Sequence, residues 1–118
     1  MSTAGDSGAI EALKNIVQRD QTWPRMAAKW GVENPVPPWK TSLDGLCDAL
    51  DNASCGADVP NFKERRDEED TLSATVYSSL PYPENQLVSL AHSLVARGII
   101  DEAQLKQRLA RIRERLEA

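Results

Sequence analysis

The chain has 118 residues, a mass of 13.0 kDa and a formal net charge of -4 at pH 7. That length predicts one small domain with a modest core of its own, and the acid excess excludes a general nucleic-acid binder, whose phosphate contacts need a basic surface. No apolar run approaches the roughly 20 residues of a membrane span, and the opening MSTAGDSG lacks the basic-then-apolar order of a secretory signal, so a cytoplasmic protein is expected, with no nucleic-acid or membrane partner.

Residues 1–8 are small and polar and are expected to form a disordered tail. From position 9 the apolar residues Ile10, Leu13, Ile16 and Val17 recur at helical spacing. A second short helix is expected after Thr22, with Trp23, Met26, Ala27 and Trp30 on one side and Gly31 as its stop. Together 9–31 read as an N-terminal helical arm. VENPVPPW follows, with three prolines in eight residues. Proline has no N–H to donate and pushes its predecessor toward extended geometry, so 32–41 is expected to be a strap laid on another surface, such as a second chain.

Residues 42–118 read as the main helical domain. Thr41 and Ser42 are candidate caps for a helix carrying Leu43, Leu46, Cys47 and Leu50. The Asn, Ser, Gly, Asp and Pro content of 52–60 marks a loop. Asn61 and Glu64 have the spacing of a capping box and open a helix whose only apolar residue before Leu72 is Phe62. Leu72, Val76 and Leu80 extend its apolar stripe at intervals of four. Pro83 suits a first helical position, and a helix over 84–97 ends at Gly98. Asp101 and Gln104 predict a further box, and the last helix places Leu105, Leu109, Ile112 and Leu116 in a narrow stripe among Arg and Lys, as in a helix that packs on one neighbour. The fold class is therefore all-α: a small irregular helical domain with an extended proline-rich arm, packed into a hetero-oligomer.

Chemistry-bearing residues are sparse. Cys47 and Cys55 are eight apart, which is no metal-ligand spacing; one buried thiol and one loop thiol are expected. His92 is the only histidine and sits among helical leucines, as a packed or partly exposed residue. No self-sufficient metal site is predicted, and the usual catalytic signatures are absent from the chain. In KERRDEED, a solvated face laced with i,i+4 pairs competes with an interface in which Arg65 and Arg66 make bidentate contacts to anionic groups of another chain. Tyr82 lies between Pro81 and Pro83, ahead of a helix. It reads either as a core residue with a capped hydroxyl or as a site residue whose braced ring aims its O–H at a ligand.

The pattern R-x(10)-Y-x(3)-P-Y-x(4)-L, formed by Arg66, Tyr77, Pro81, Tyr82 and Leu87, continues through Leu94, Val95 and Gly98 to Asp101 and Leu105. From about Trp39 to Leu116 this resembles the N-terminal helical half of the β-type subunit of the nitrile hydratase family. It is most similar to the short β chains of its split-subunit members, toyocamycin nitrile hydratase and thiocyanate hydrolase. The resemblance implies a carbon–nitrogen lyase complex in which this chain is inactive alone. A separate metal-binding α subunit holds cobalt(III), or iron(III), in a claw of oxidised cysteines, and a further chain supplies the β-barrel. It also implies that Arg66 donates to the oxidised cysteine oxygens and that Tyr82 holds the nitrile or the attacking water, the two expected catalytic residues. Phe62, Arg65 and Tyr77 are expected at the substrate pocket or interface, with no metal ligand in this chain. The family's second arginine of this kind lies in the barrel half. Where the family has aromatic residues this chain has Pro83, Glu84 and Gln86, which implies a wider, more polar pocket. Thiocyanate hydrolysis on the same scaffold, and a non-catalytic helical activator or adaptor, remain the alternatives.

Overall fold

The computed structural model describes residues 10–19 and 22–117. The tail expected over 1–8 lies outside the described residues. Six helices follow in order: α1 (Glu11–Arg19), α2 (Trp23–Trp30), α3 (Lys40–Ala53), α4 (Phe62–Ala74), α5 (Glu84–Ala96) and α6 (Glu102–Glu117), with no strand among the described residues. The all-α reading therefore holds.

Local signals explain several helix ends. Gly31 takes φ 69°, a left-handed conformation that glycine adopts without a Cβ penalty, and the Val32 N–H closes α2 onto the Ala27 carbonyl at 2.8 Å. The Asn61 side chain accepts from Glu64 N–H at 2.9 Å while Glu64 Oε1 accepts from Asn61 N–H at 3.0 Å, the reciprocal box that the sequence predicts. Asp101 Oδ2 accepts from Gln104 N–H at 3.0 Å at the head of α6. Gly98 takes φ 77° just after α5.

Three boundaries differ from expectation. The helix α3 begins at Lys40, without a side-chain cap from Thr41 or Ser42, because the Lys40 N–H already closes a turn onto the Pro37 carbonyl at 3.1 Å. Pro83 occupies the N-cap of α5 rather than its first helical position, following a cis Tyr82–Pro83 bond. Most consequential, α4 stops at Ala74, and the Leu72–Val76–Leu80 stripe is not one helix. Tyr77 instead folds back, its N–H bonding to the Leu72 carbonyl at 2.9 Å, and Leu80 N–H bonds to the Tyr77 carbonyl at 3.1 Å. Pro81 could not have continued a helix through Leu80, since its ring disfavours helical geometry in its predecessor.

Two apolar clusters share α5. Leu13, Leu72, Tyr77 and Val88 form one, with Leu105 of α6 packed against it; Leu43 and Leu50 of α3 meet Leu90 and Leu94 in the other. The helix α1 is thus seated in the core through Leu13 rather than standing apart as an arm. Glu102 reinforces this by accepting from the Ala12 N–H at 3.2 Å, a carboxylate from α6 placed on the α1 N-terminus. The proline strap is also held by its own chain: the Trp23 indole N–H donates to the Asn34 carbonyl at 2.7 Å, and Pro37 is buried, while Val32 and Val36 face outward.

Tyr77 is the largest fully buried side chain, and its hydroxyl lies 2.6 Å from His92 Nδ1, with the rings edge to face at 5.4 Å. Burial pushes the phenol pKa up from 10.0 to about 12, against a backbone hydrogen bond at Ile10 that lowers it. A folded-state pKa raised in this way contributes stability that is full below pH 10 and lost as pH rises toward 12. Alkaline unfolding titrations should therefore show a loss of about 2–3 kcal/mol across that window, absent in Tyr77→Phe. At neutral pH, Tyr77→Phe should itself cost about 1–3 kcal/mol, because it withdraws the hydroxyl from buried His92 Nδ1. Leu72→Ala should cost about 2–5 kcal/mol by leaving a cavity; urea denaturation measures both.

Candidate functional site

The expected site residues separate according to which way their helices turn them. Tyr77 is wholly inside, so it lines neither a surface pocket nor an interface; the burial of its ring against Leu13, Leu72 and Val88 is the reason. Arg65 and Arg66 are neighbours in sequence but about 100° apart around α4. The Arg65 side chain is only 11% exposed and is committed to Asp51 of α3 through its terminal guanidinium nitrogen, with Phe62 stacked 5.8 Å away. Its Nε is buried with no partner. Arg65 is therefore a tie between α3 and α4 rather than an outward-reaching group. Arg66 points outward, 63% exposed, with only a loose 3.9 Å pairing to Asp70. Phe62 is exposed in the first turn of α4.

Tyr82 is 66% exposed, which removes its core reading. The ring is held by Lys40, the first residue of α3, whose Nζ lies 5.6 Å from its centroid. Lys40 also pairs with Asp44 one turn along. The Asp44 hydrogen bond raises the Lys40 pKa most; desolvation opposes it, and the Tyr82 hydroxyl adds to the increase. Glu69 is half-buried on α4. Burial pushes its carboxyl pKa up and Asp70 acts in the same direction, while Arg66, Arg65 and Lys40 pull it down. Lys40 thus contacts the exposed Tyr82 ring, and the exposed Arg66 acts on Glu69 one turn along the same helix.

The remaining charges of KERRDEED are spent within the chain. Arg97, at the C-cap of α5, reaches Glu68 and, at 3.8 Å, Glu64, and Lys63 pairs with Asp67 at 2.7 Å. Both thiols are free, Cys47 partly buried and Cys55 exposed. Burial raises the Cys47 pKa, so the thiol is poorly nucleophilic at neutral pH. No cluster of three or more His, Cys, Asp or Glu side chains is placed to hold a metal ion among the described residues, and none of the described helices is long and apolar enough to cross a membrane.

Sequence reasoning missed Lys40, Asp44 and Glu69. The Lys40–Asp44 spacing of four was a readable signal for their ion pair, but the approach of Lys40 to Tyr82 joins residues 42 apart in sequence and depends on the packing of α3 beside the Pro81–Pro83 turn. Also unanticipated is an apolar groove of about 490 Å³ between α1, α6 and the start of α5, which neither Arg66 nor Tyr82 lines.

Comparison with known proteins finds no matching family model, no similar curated protein and no similar solved structure. For the Arg65 tie, Asp51→Ala should lower stability by about 1–3 kcal/mol in urea denaturation, since it leaves a mostly buried guanidinium unpaired. Asp70→Ala, at the exposed Arg66 pair, should change it by less than about 0.5 kcal/mol.

Proposed function

We propose that this chain is the helical β-type subunit of a cytoplasmic nitrile hydratase-family assembly, hydrating a nitrile to an amide at an interface with a metal-binding α subunit. The observation that carries this reading is the exposure of both Arg66 and Tyr82, the first loosely paired on its own helix and the second with Lys40 over its ring. A cation and a phenol that both reach the surface, neither tied up in the core, fit residues that meet another polypeptide's pocket. In this reading a separate β-barrel chain completes the assembly.

Each side chain has a defined task. Cobalt(III) or iron(III), held by the partner subunit, would supply Lewis-acid activation of water or of the carbon–nitrogen triple bond. Arg66 stays charged at any working pH, and its planar fork satisfies several acceptor oxygens at once, as oxidised cysteine ligands require. It would orient those ligands from outside the metal's coordination shell. Tyr82 would donate its hydroxyl hydrogen to the substrate nitrogen or hold the attacking water. Lys40 keeps the ring in place and adds positive potential beside the hydroxyl, favouring donation. Arg65, turned toward Asp51, positions α4 against α3 and so sets where Arg66 emerges. Phe62 belongs to the exposed edge that would meet the α subunit.

The second reading, a non-catalytic helical adaptor, draws on the apolar groove, which is separate from these residues. The two readings diverge in one experiment: co-expression of this chain with a metal-binding α subunit and a β-barrel subunit, followed by metal analysis and turnover of nitrile and of thiocyanate. Co-purification with bound cobalt or iron is expected. Arg66→Ala should lower kcat by about 10–100-fold with assembly retained, and Tyr82→Phe should lower kcat/KM. Failure to associate with such subunits, or undiminished turnover in both variants, would refute the hydratase reading. Turnover of thiocyanate alone would assign the scaffold to that substrate.

A further inference from the structure

The α6 stripe is only half used. Leu105 packs against the core, whereas Ile112 is 44% and Leu116 76% exposed. These two form one wall of the groove of about 490 Å³; Ile16 of α1 and Leu87 of α5, both exposed, form the others. The spacing of Leu105, Leu109, Ile112 and Leu116 is four, three and four, which corresponds to alternating d and a positions of two heptads. The flanking e positions are then Lys106 and Arg113, and the g positions are Arg108 and Arg115. All four flanks are cationic, in a chain whose net charge is -4. Among the described residues no ion pair is formed by Lys106 or Arg113, both of which line the groove.

We infer that this groove is a docking site for an amphipathic helix of a partner protein, one with leucine-type residues on its buried face and acidic residues on both edges. The charge pattern selects this occupant. A second copy joined through the same stripe would set Lys106, Arg108, Arg113 and Arg115 against each other, which destabilises such a seam. The acidic helix of this chain, α4, cannot fill the groove in trans, because most of its length is polar and its one buried apolar residue, Leu72, is engaged in the core. The inference is independent of the hydratase reading, since it uses neither Arg66 nor Tyr82.

The test uses the full chain and a fluorescently labelled 16-residue model helix with Leu at a and d and Glu at e and g, beside the same peptide with Lys at e and g. Fluorescence anisotropy should show saturable binding of the Glu peptide that weakens with added salt, and binding at least about tenfold weaker for the Lys peptide. Ile112→Asp should weaken the Glu peptide by about tenfold or more; Ile112 is open to solvent, so an unchanged circular dichroism spectrum is expected. Lys106→Glu with Arg113→Glu should reverse the preference between the two peptides. Any of four results would overturn the inference: no saturable binding, equal affinity for both peptides, indifference to the charge reversal, or a dimer of this chain that occupies the groove. Binding of the Glu peptide only after deletion of residues 1–9 would overturn it as well, by making that segment the occupant.

Discussion

The hydrogen bond between the Tyr77 hydroxyl and His92 Nδ1 organises the fold. Both groups are buried, and a polar group withdrawn from water must find a partner inside. This requirement ties the turn after α4 to the middle of α5 and draws the chain out of helical geometry beyond Ala74. With Tyr77 turned inward, its ring provides the surface on which Leu13 of α1, Leu72 of α4 and Val88 of α5 converge. The next residues are then directed outward, and Tyr82, five positions later, emerges on the surface beside Lys40. The two tyrosines thus have opposite roles that follow from one another: the first anchors the turn, and the second is displayed by it.

A similar division separates Arg65 from Arg66. One step along a helix rotates a side chain by about 100°, so the two adjacent arginines leave α4 in different directions. Arg65 meets Asp51 across the α3–α4 contact, and Arg66 is left facing outward with a loose partner on its own helix. The acids that follow are distributed in the same way, with Glu68 bracing Arg97 at the end of α5 and Glu69 held half-buried on α4. What looks like an undifferentiated charge run supplies ties from α4 to α3 through Arg65 and to Arg97 through Glu68, while Lys63 and Arg66 stay outward and pair within α4.

The outer surface carries two distinct features. One is the polar surface that carries Tyr82 with Lys40 and, on α4, Arg66. The other is the apolar groove under the second half of α6, edged by lysine and arginine. They differ in the binding they favour: directional hydrogen bonds at the first, and area burial with edge electrostatics at the second. A chain of this length has a limited interior, and the outward placement of Trp30, Val32, Val36, Ile112 and Leu116 leaves apolar surface available to partners.

The amino-acid sequence by itself determined the helical class and several helix ends. The reason is that those features rest on local chemistry: the glycine at 31, the Asn61–Glu64 box, the Asp101 cap and apolar spacing near 3.6 all act within a few residues. Of the residues it singled out, Phe62, Arg66 and Tyr82 are exposed. Tertiary structure alone decided that α1 belongs to the core, that the proline strap is fastened to its own chain, that Arg65 and Tyr77 face inward, and that Lys40 reaches Tyr82. Each of these depends on contacts between segments distant in sequence, where satisfying a buried polar group or filling a core outweighs local periodicity; the end of α4 at Ala74, despite an apolar stripe that continues to Leu80, shows that competition resolved in favour of the core.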